Sequence, residues 1–101
     1  MIPLASSVYV GRHAIRRGGG RLYLHLPIKS LGGLVSKRVK VVARINAVKC
    51  VDKTLDGSFI MFSTNLVSVG GTYRVNIPSY YVPMMSKIID CSELDVWVIP
   101  I

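Results

Sequence analysis

Eleven of the thirteen basic side chains in this 101-residue chain fall within residues 1–53, and their chemistry is that of phosphate recognition. Arg12, Arg16, Arg17, Arg21, Lys29, Lys37, Arg38, Lys40, Arg44, Lys49 and Lys53 stand against one acid, Asp52, a net of +10. Residues 54–101 carry Arg74 and Lys87 against Asp56, Asp90, Glu93 and Asp95, a net of −2. Guanidinium forks bind phosphate oxygens in pairs, and a basic region this poor in acid is the footprint of a polyanion binder. Arg21, Tyr23 and His25 alternate onto one strand face, and Lys40 and Arg44 onto another. Same-face strand neighbours lie about 7 Å apart, near the spacing of phosphates along a strand. Arg12, Arg16 and Arg17 flank a glycine turn whose amides can approach a phosphate, and Tyr23 can stack on an exposed base. The expected nucleic-acid-binding set is Arg12, Arg16, Arg17, Arg21, Tyr23, His25, Lys37, Arg38, Lys40 and Arg44.

Other chemistries find little support. His13, His25, Cys50 and Cys91 equal a zinc site in number, but zinc modules bring cysteines two to four residues apart. No metal or cofactor is expected. Gly18-Gly19-Gly20 lacks the Gly-Lys-Ser/Thr and helix of a nucleotide-binding loop. Asp90, Glu93 and Asp95 cluster at a connector and strand start, where carboxylates are ordinary. No Ser-His-Asp or Cys-His signature is present, so the chain is read as a binding protein with no catalytic residue, not as an enzyme. Tyr80 and Tyr81, ahead of Pro83, are the best candidates for a protein contact.

The elements that must position these residues are strands, and the strand unit is written twice. Gly20-Arg21-Leu22-Tyr23-Leu24-His25-Leu26-Pro27 returns as Gly71-Thr72-Tyr73-Arg74-Val75-Asn76-Ile77-Pro78, an offset of 51 residues. The apolar positions repeat, and so does their period-2 alternation, the mark of a half-buried strand. Strands are predicted over 8–15, 22–26, 39–51, 59–62, 66–69, 73–77 and 94–99. Residues 16–20 read as a basic turn, and residues 52–57 as a hairpin loop with a turn signal at Asp56-Gly57. A helical turn or two is expected after Pro83, and at most as much over 28–36. The last strand matches Val39–Arg44 at an offset of 55. The predicted class is mostly β: a small β-barrel or an intertwined β-hairpin pseudo-dimer with one or two short helices. It forms a single domain over 1–101, with repeats at about 8–62 and 66–101.

A strand, a turn, a strand ending in proline, a short helix and a further strand together resemble the AbrB/MazE/SpoVT-type swapped-hairpin family. Leu24-His25-Leu26-Pro27 and Val75-Asn76-Ile77-Pro78 match its apolar–x–apolar–proline core, and Leu34 and Met85 its helical apolar position. Both copies place two extra residues between glycine and proline, so the family's arginine position falls on Tyr23 and Arg74. Ser36-Lys37-Arg38 and Ser92-Glu93 stand where its Gly-Asp turn would be. The resemblance implies two units interwoven in one chain and a DNA-binding surface.

The leading expectation is duplex DNA binding in a regulatory or architectural role. An RNA-binding small barrel, or an adaptor on an acidic protein surface, is the alternative. No run approaches the roughly 20 apolar residues of a membrane helix, so no membrane partner is expected. The cysteines read as a reduced, buried pair, with a single bridge between the halves as the other possibility. The chain is read as cytoplasmic, and as a monomeric pseudo-dimer or a homodimer. Arg16→Ala combined with Arg17→Ala should weaken binding to unrelated duplexes alike in gel shifts, as phosphate contacts do. A loss confined to one sequence would instead make these residues base readers.

Overall fold

The computed structural model describes residues 7–31 and 38–101. Eight strands form two four-stranded antiparallel sheets, one ordered β1-β8-β4-β5 and the other β2-β3-β7-β6. Their ranges are β1 Val8–Ala14, β2 Arg16–Gly18, β3 Arg21–Pro27, β4 Arg38–Asn46, β5 Phe59–Asn65, β6 Val67–Val69, β7 Thr72–Asn76 and β8 Glu93–Pro100. The one α-helix among the described residues is the short α1, Val82–Met85, with Pro83 in its first turn, where a missing N–H leaves no bond unmade. Turns of 3-10 helix occupy Ile28–Leu31 and Ser79–Tyr81. The described strands make no closed barrel: the ladders form two separate sheets, so the barrel form of the expectation gives way to two layers.

Alternation decides which side of each strand is buried. In β3, Leu22, Leu24 and Leu26 are buried, while Arg21 is exposed and Tyr23 and His25 are half-buried. In β4, Val39, Val41, Ala43 and Ile45 turn inward, as do Leu94, Val96 and Val98 of β8. These residues, with Val75, Ile60 and Met85, form a single core between the sheets. At about 25 cal/mol per Å² of apolar surface, the burial of that stripe holds the layers together.

Element order repeats along the chain. Residues 51 apart occupy like places: β1 with β5, Ile15 with Leu66, β2 with β6, and β3 with β7. Ile15 and Leu66 are each a single buried residue at the corner where the chain leaves one sheet for the other. Beyond the connectors the offset becomes 55, so that β4 starts at Arg38 and β8 at Glu93. Pairing follows the same rule. Leu24 faces Val75, its own equivalent, and Val42 faces Trp97, its own equivalent. Ala14↔Glu93 is matched by Asn65↔Arg38, and Arg12↔Asp95 by Ser63↔Lys40. Symmetry breaks at a register shift between Tyr9 and Gly11, where the His13 Nε2–H donates to the Val10 carbonyl at 2.6 Å.

Several boundaries differ from expectation. Residues 16–18 are strand, not turn, because only Gly19 and Gly20 reverse the chain, with φ of +58° and +74°. Two consecutive positive φ values suit a two-residue hairpin and favour glycine. β4 ends at Asn46, short of Val51. There Ala47 N–H donates to Asp56 Oδ1 at 2.9 Å, and Cys50 N–H to the Ala47 carbonyl at 3.0 Å, so the backbone turns away from the sheet. The predicted Asp56-Gly57 turn does close this hairpin, with Gly57 N–H donating to the Ile45 carbonyl at 2.8 Å.

The cysteines are not a reduced pair. Cys50 and Cys91 form a disulfide across 41 residues, with Cα atoms 5.1 Å apart. The bond ties the loop after β4 to the connector before β8. Closing a loop of that length stabilises the fold by about 4 kcal/mol in the chain-entropy account. Cys50→Ser with Cys91→Ser should therefore lower the free energy of unfolding by about 2–4 kcal/mol in denaturant titration. An unchanged midpoint with and without reductant would show the bond to be dispensable.

Candidate nucleic-acid interface

The two sheets bury their inner faces against each other, so each keeps one outward face, on opposite sides of the core. This division splits the basic set read from the sequence. Arg16, Arg21, Tyr23 and His25 share the outward face of the β2-β3-β7-β6 sheet, where Arg16 pairs with Tyr23 and Gly18 with Arg21. Arg17 pairs with Leu22 and so has inward parity, yet it is exposed at the sheet's edge strand. Arg12, Lys40 and Arg44 belong to the other sheet and face away from the first group. Arg38 starts β4 in that same sheet, and Lys37 lies outside the described residues. One continuous cationic clamp from Arg12 to Arg44 is therefore not what the fold builds. Strands β1 and β4 are drawn into one layer and β2 and β3 into the other.

The first face gains a residue that the sequence reading left out. Arg74 of β7 pairs with His25 of β3, and Asn76 with Tyr23. The Arg74 guanidinium lies over the Tyr23 ring with its carbon 3.9 Å from the centroid, a cation–π contact. Its Nε–H donates to Asn76 Oδ1 at 3.2 Å, and among the described residues nothing binds its terminal nitrogens. The Tyr23 ring reaches back over Gly18, where an added Cβ would sit 3.2 Å from the ring. His25 flanks it, with ring centroids 5.2 Å apart. Val67 and Val69 of β6 complete the face. The signal for Arg74 was present in the repeat, since it is itself the equivalent of Tyr23 at the offset of 51 residues.

None of the acids lies on this sheet. Asp52 and Asp56 are in the β4–β5 loop, Asp90 is in the last connector, and Glu93 and Asp95 are in β8. A groove of about 460 Å³ runs beside Arg21, lined also by Ser63, Thr64, Asn76 and Ser79. Its polar lining is hydroxyls and an amide, which donate to phosphate oxygens.

On the second face the buried carboxylate is paired. Arg12 Nε–H donates to Asp95 Oδ1 at 3.0 Å, and its terminal nitrogen to Oδ2 at 3.2 Å. The Tyr9 hydroxyl donates to Oδ1 at 2.9 Å. Asp95 is only 6% exposed, and the contact is an ion pair. The Arg12 bond, followed by that of Tyr9, holds the Asp95 carboxyl below the usual carboxylate range against the opposing effect of burial. The same hydrogen bond pushes the Tyr9 phenol up. Arg12 is thus a partner of Asp95 first. Of the proposed protein-contact pair, Tyr81 is also engaged: its hydroxyl donates to the Met61 carbonyl at 3.0 Å and accepts from Met61 N–H at 3.2 Å, covering the edge of β5. Tyr80 is exposed and packs on Tyr81 with centroids 4.6 Å apart.

Because the folded state lowers the Asp95 pKa, its contribution to stability is full above the unfolded value near pH 4 and fades as pH falls through the folded value. Acid denaturation of Asp95→Asn should therefore show a shallower acid limb than the parent chain. Coincident limbs would mean that the ion pair does not stabilise the fold. No protein-family profile, curated protein or solved structure matches the chain.

Proposed function

We propose that the chain binds nucleic acid, foremost duplex DNA, through the outward face of the β2-β3-β7-β6 sheet. The observation that carries this reading is the set of Arg16, Arg21, His25 and Arg74 around Tyr23 on a sheet with no carboxylate. Arg74 is oriented by the Tyr23 ring and Asn76, which leaves its two terminal nitrogens for a phosphate fork. Arg16, Arg17 and Arg21 follow on the adjoining hairpin, and the hydroxyl-lined groove beside Arg21 continues the track. Because the guanidinium covers one face of Tyr23, base stacking on that ring is disfavoured. This argues for backbone contact over an unpaired-base reading at this site.

In the same proposal the chain is two copies of one β unit, the second starting near Phe59 and not at about residue 66 as read from the sequence, because β5 is the equivalent of β1; they are interwoven as in the swapped-hairpin AbrB/MazE/SpoVT-type arrangement that the sequence resembles. The support is the pairing of every strand in the β1-β8-β4-β5 sheet with strands of the other half only. Both copies then contribute to one binding face, with Arg74 as the second copy's share. Binding, and not catalysis, is the role: Asp95, the buried member of the acidic cluster, is engaged by Arg12 and Tyr9. No helix among the described residues is long and apolar enough to cross a membrane. We place the protein inside the cell, in a compartment that tolerates the Cys50–Cys91 disulfide.

Titration against duplex DNA, single-stranded DNA and structured RNA over a salt series tests the reading. Duplex preference with a steep salt slope is expected, and absence of binding at low salt overturns it. Arg74→Ala should flatten the log–log salt slope by about one and weaken duplexes of all sequences similarly. An unaltered slope would remove Arg74 from the interface.

A further inference from the structure

The outward face of the other sheet carries an aromatic row that neither the core nor the basic face uses. Tyr9, Trp97, Val42 and Met61 are cross-strand neighbours along β1, β8, β4 and β5, and Arg12, Asp95, Arg44 and Phe59 form the next row. Tyr9 and Trp97 have ring centroids 5.1 Å apart, and Trp97 and Phe59 6.5 Å apart. Tyr9 is 53% exposed and Phe59 59%. No guanidinium lies over any of these rings among the described contacts, in contrast to Tyr23. Lys40 and Arg44 rise from the central strand beside the row, while Asp95 is buried and neutralised by Arg12. The surface a partner meets is therefore aromatic, bordered by Lys40 and Arg44, with the exposed Glu93 at the end of β8.

We infer that this face is a stacking platform for single-stranded nucleic acid. Bases stack on exposed aromatic rings whatever their sequence, and flanking cations hold the backbone. A four-stranded antiparallel sheet with rings on its open face is a geometry that suits splayed bases. A second copy of the chain would bring Lys40 and Arg44 against their own likeness, which charge disfavours. A polyanion with flat apolar groups answers both features. The platform is on the opposite side of the core from Tyr23 and Arg74, so the inference does not rest on duplex binding there.

Trp97 is the only tryptophan in the sequence and sits in the middle of the row, a built-in reporter. Titration with a short oligothymidylate should quench its fluorescence. Phe59→Ala should weaken that binding about tenfold, whereas Tyr9→Phe, which keeps the ring and loses only the bond to Asp95, should retain it. Tyr23→Ala with Arg74→Ala should leave the quenching intact while impairing duplex binding. Unchanged Trp97 emission with oligothymidylate overturns the inference. So does quenching that disappears in the Tyr23→Ala, Arg74→Ala chain but survives Phe59→Ala. A response to a polyglutamate peptide and not to oligothymidylate would make the face a protein-docking surface and equally overturn it.

Discussion

Neither half of this chain can bury its own apolar face. β4 lies between β8 and β5, both from the second half, and β8 lies between β1 and β4, both from the first. Every ladder of that sheet joins the two halves. In the other sheet the central ladder, β3 with β7, does so too. Leu22, Leu24, Leu26, Val39 and Val41 of the first half share one core with Val75, Val96 and Val98 of the second. The strands therefore stand or fall together, and the Cys50–Cys91 bond adds a covalent tie at the point where the first half hands over to the second.

From this interweaving follows the distribution of charge. A core shared by two layers leaves two outward faces, and each strand's polar side must go to one or the other. β2, β3, β6 and β7 bring arginines and no carboxylate, whereas β8 brings Asp95 and Glu93 next to the cations of β1 and β4. One face is left with uncompensated positive charge. The other has its buried carboxylate matched by Arg12, Tyr9 and the nearby Arg44. The electrostatic asymmetry of the molecule thus runs between sheets as well as between halves of the sequence.

Edges receive separate treatment. β5 has both backbone groups of Met61 occupied by the Tyr81 hydroxyl, which blunts its capacity to pair with another chain. β2 is three residues long and bears Arg16 and Arg17, a short charged edge that resists the same fate. Tyr81, which looks like a contact residue in a string of aromatics, is in this light part of the sheet's own closure.

Period-2 alternation made the strands legible before any coordinates. Leu22-Tyr23-Leu24-His25-Leu26 and Val39 through Ile45 declare an inner and an outer side through neighbours one and two positions away, and a strand's geometry is as local as that. The 51-residue repeat was legible for the same reason, as was the turn at Asp56-Gly57. The sequence alone did not reveal which strands pair, because pairing joins residues far apart. Arg12 looked unopposed until β1 met β8 and placed it against Asp95, 83 positions away. Arg74 looked isolated in an acidic half until β7 met β3 and laid it over Tyr23. Cys50 and Cys91 read as a reduced pair until the fold brought them together in a disulfide. Local propensity determined the elements and their two sides. Long-range burial, which no short window of residues encodes, decided which charges are neutralised and which remain open to a partner.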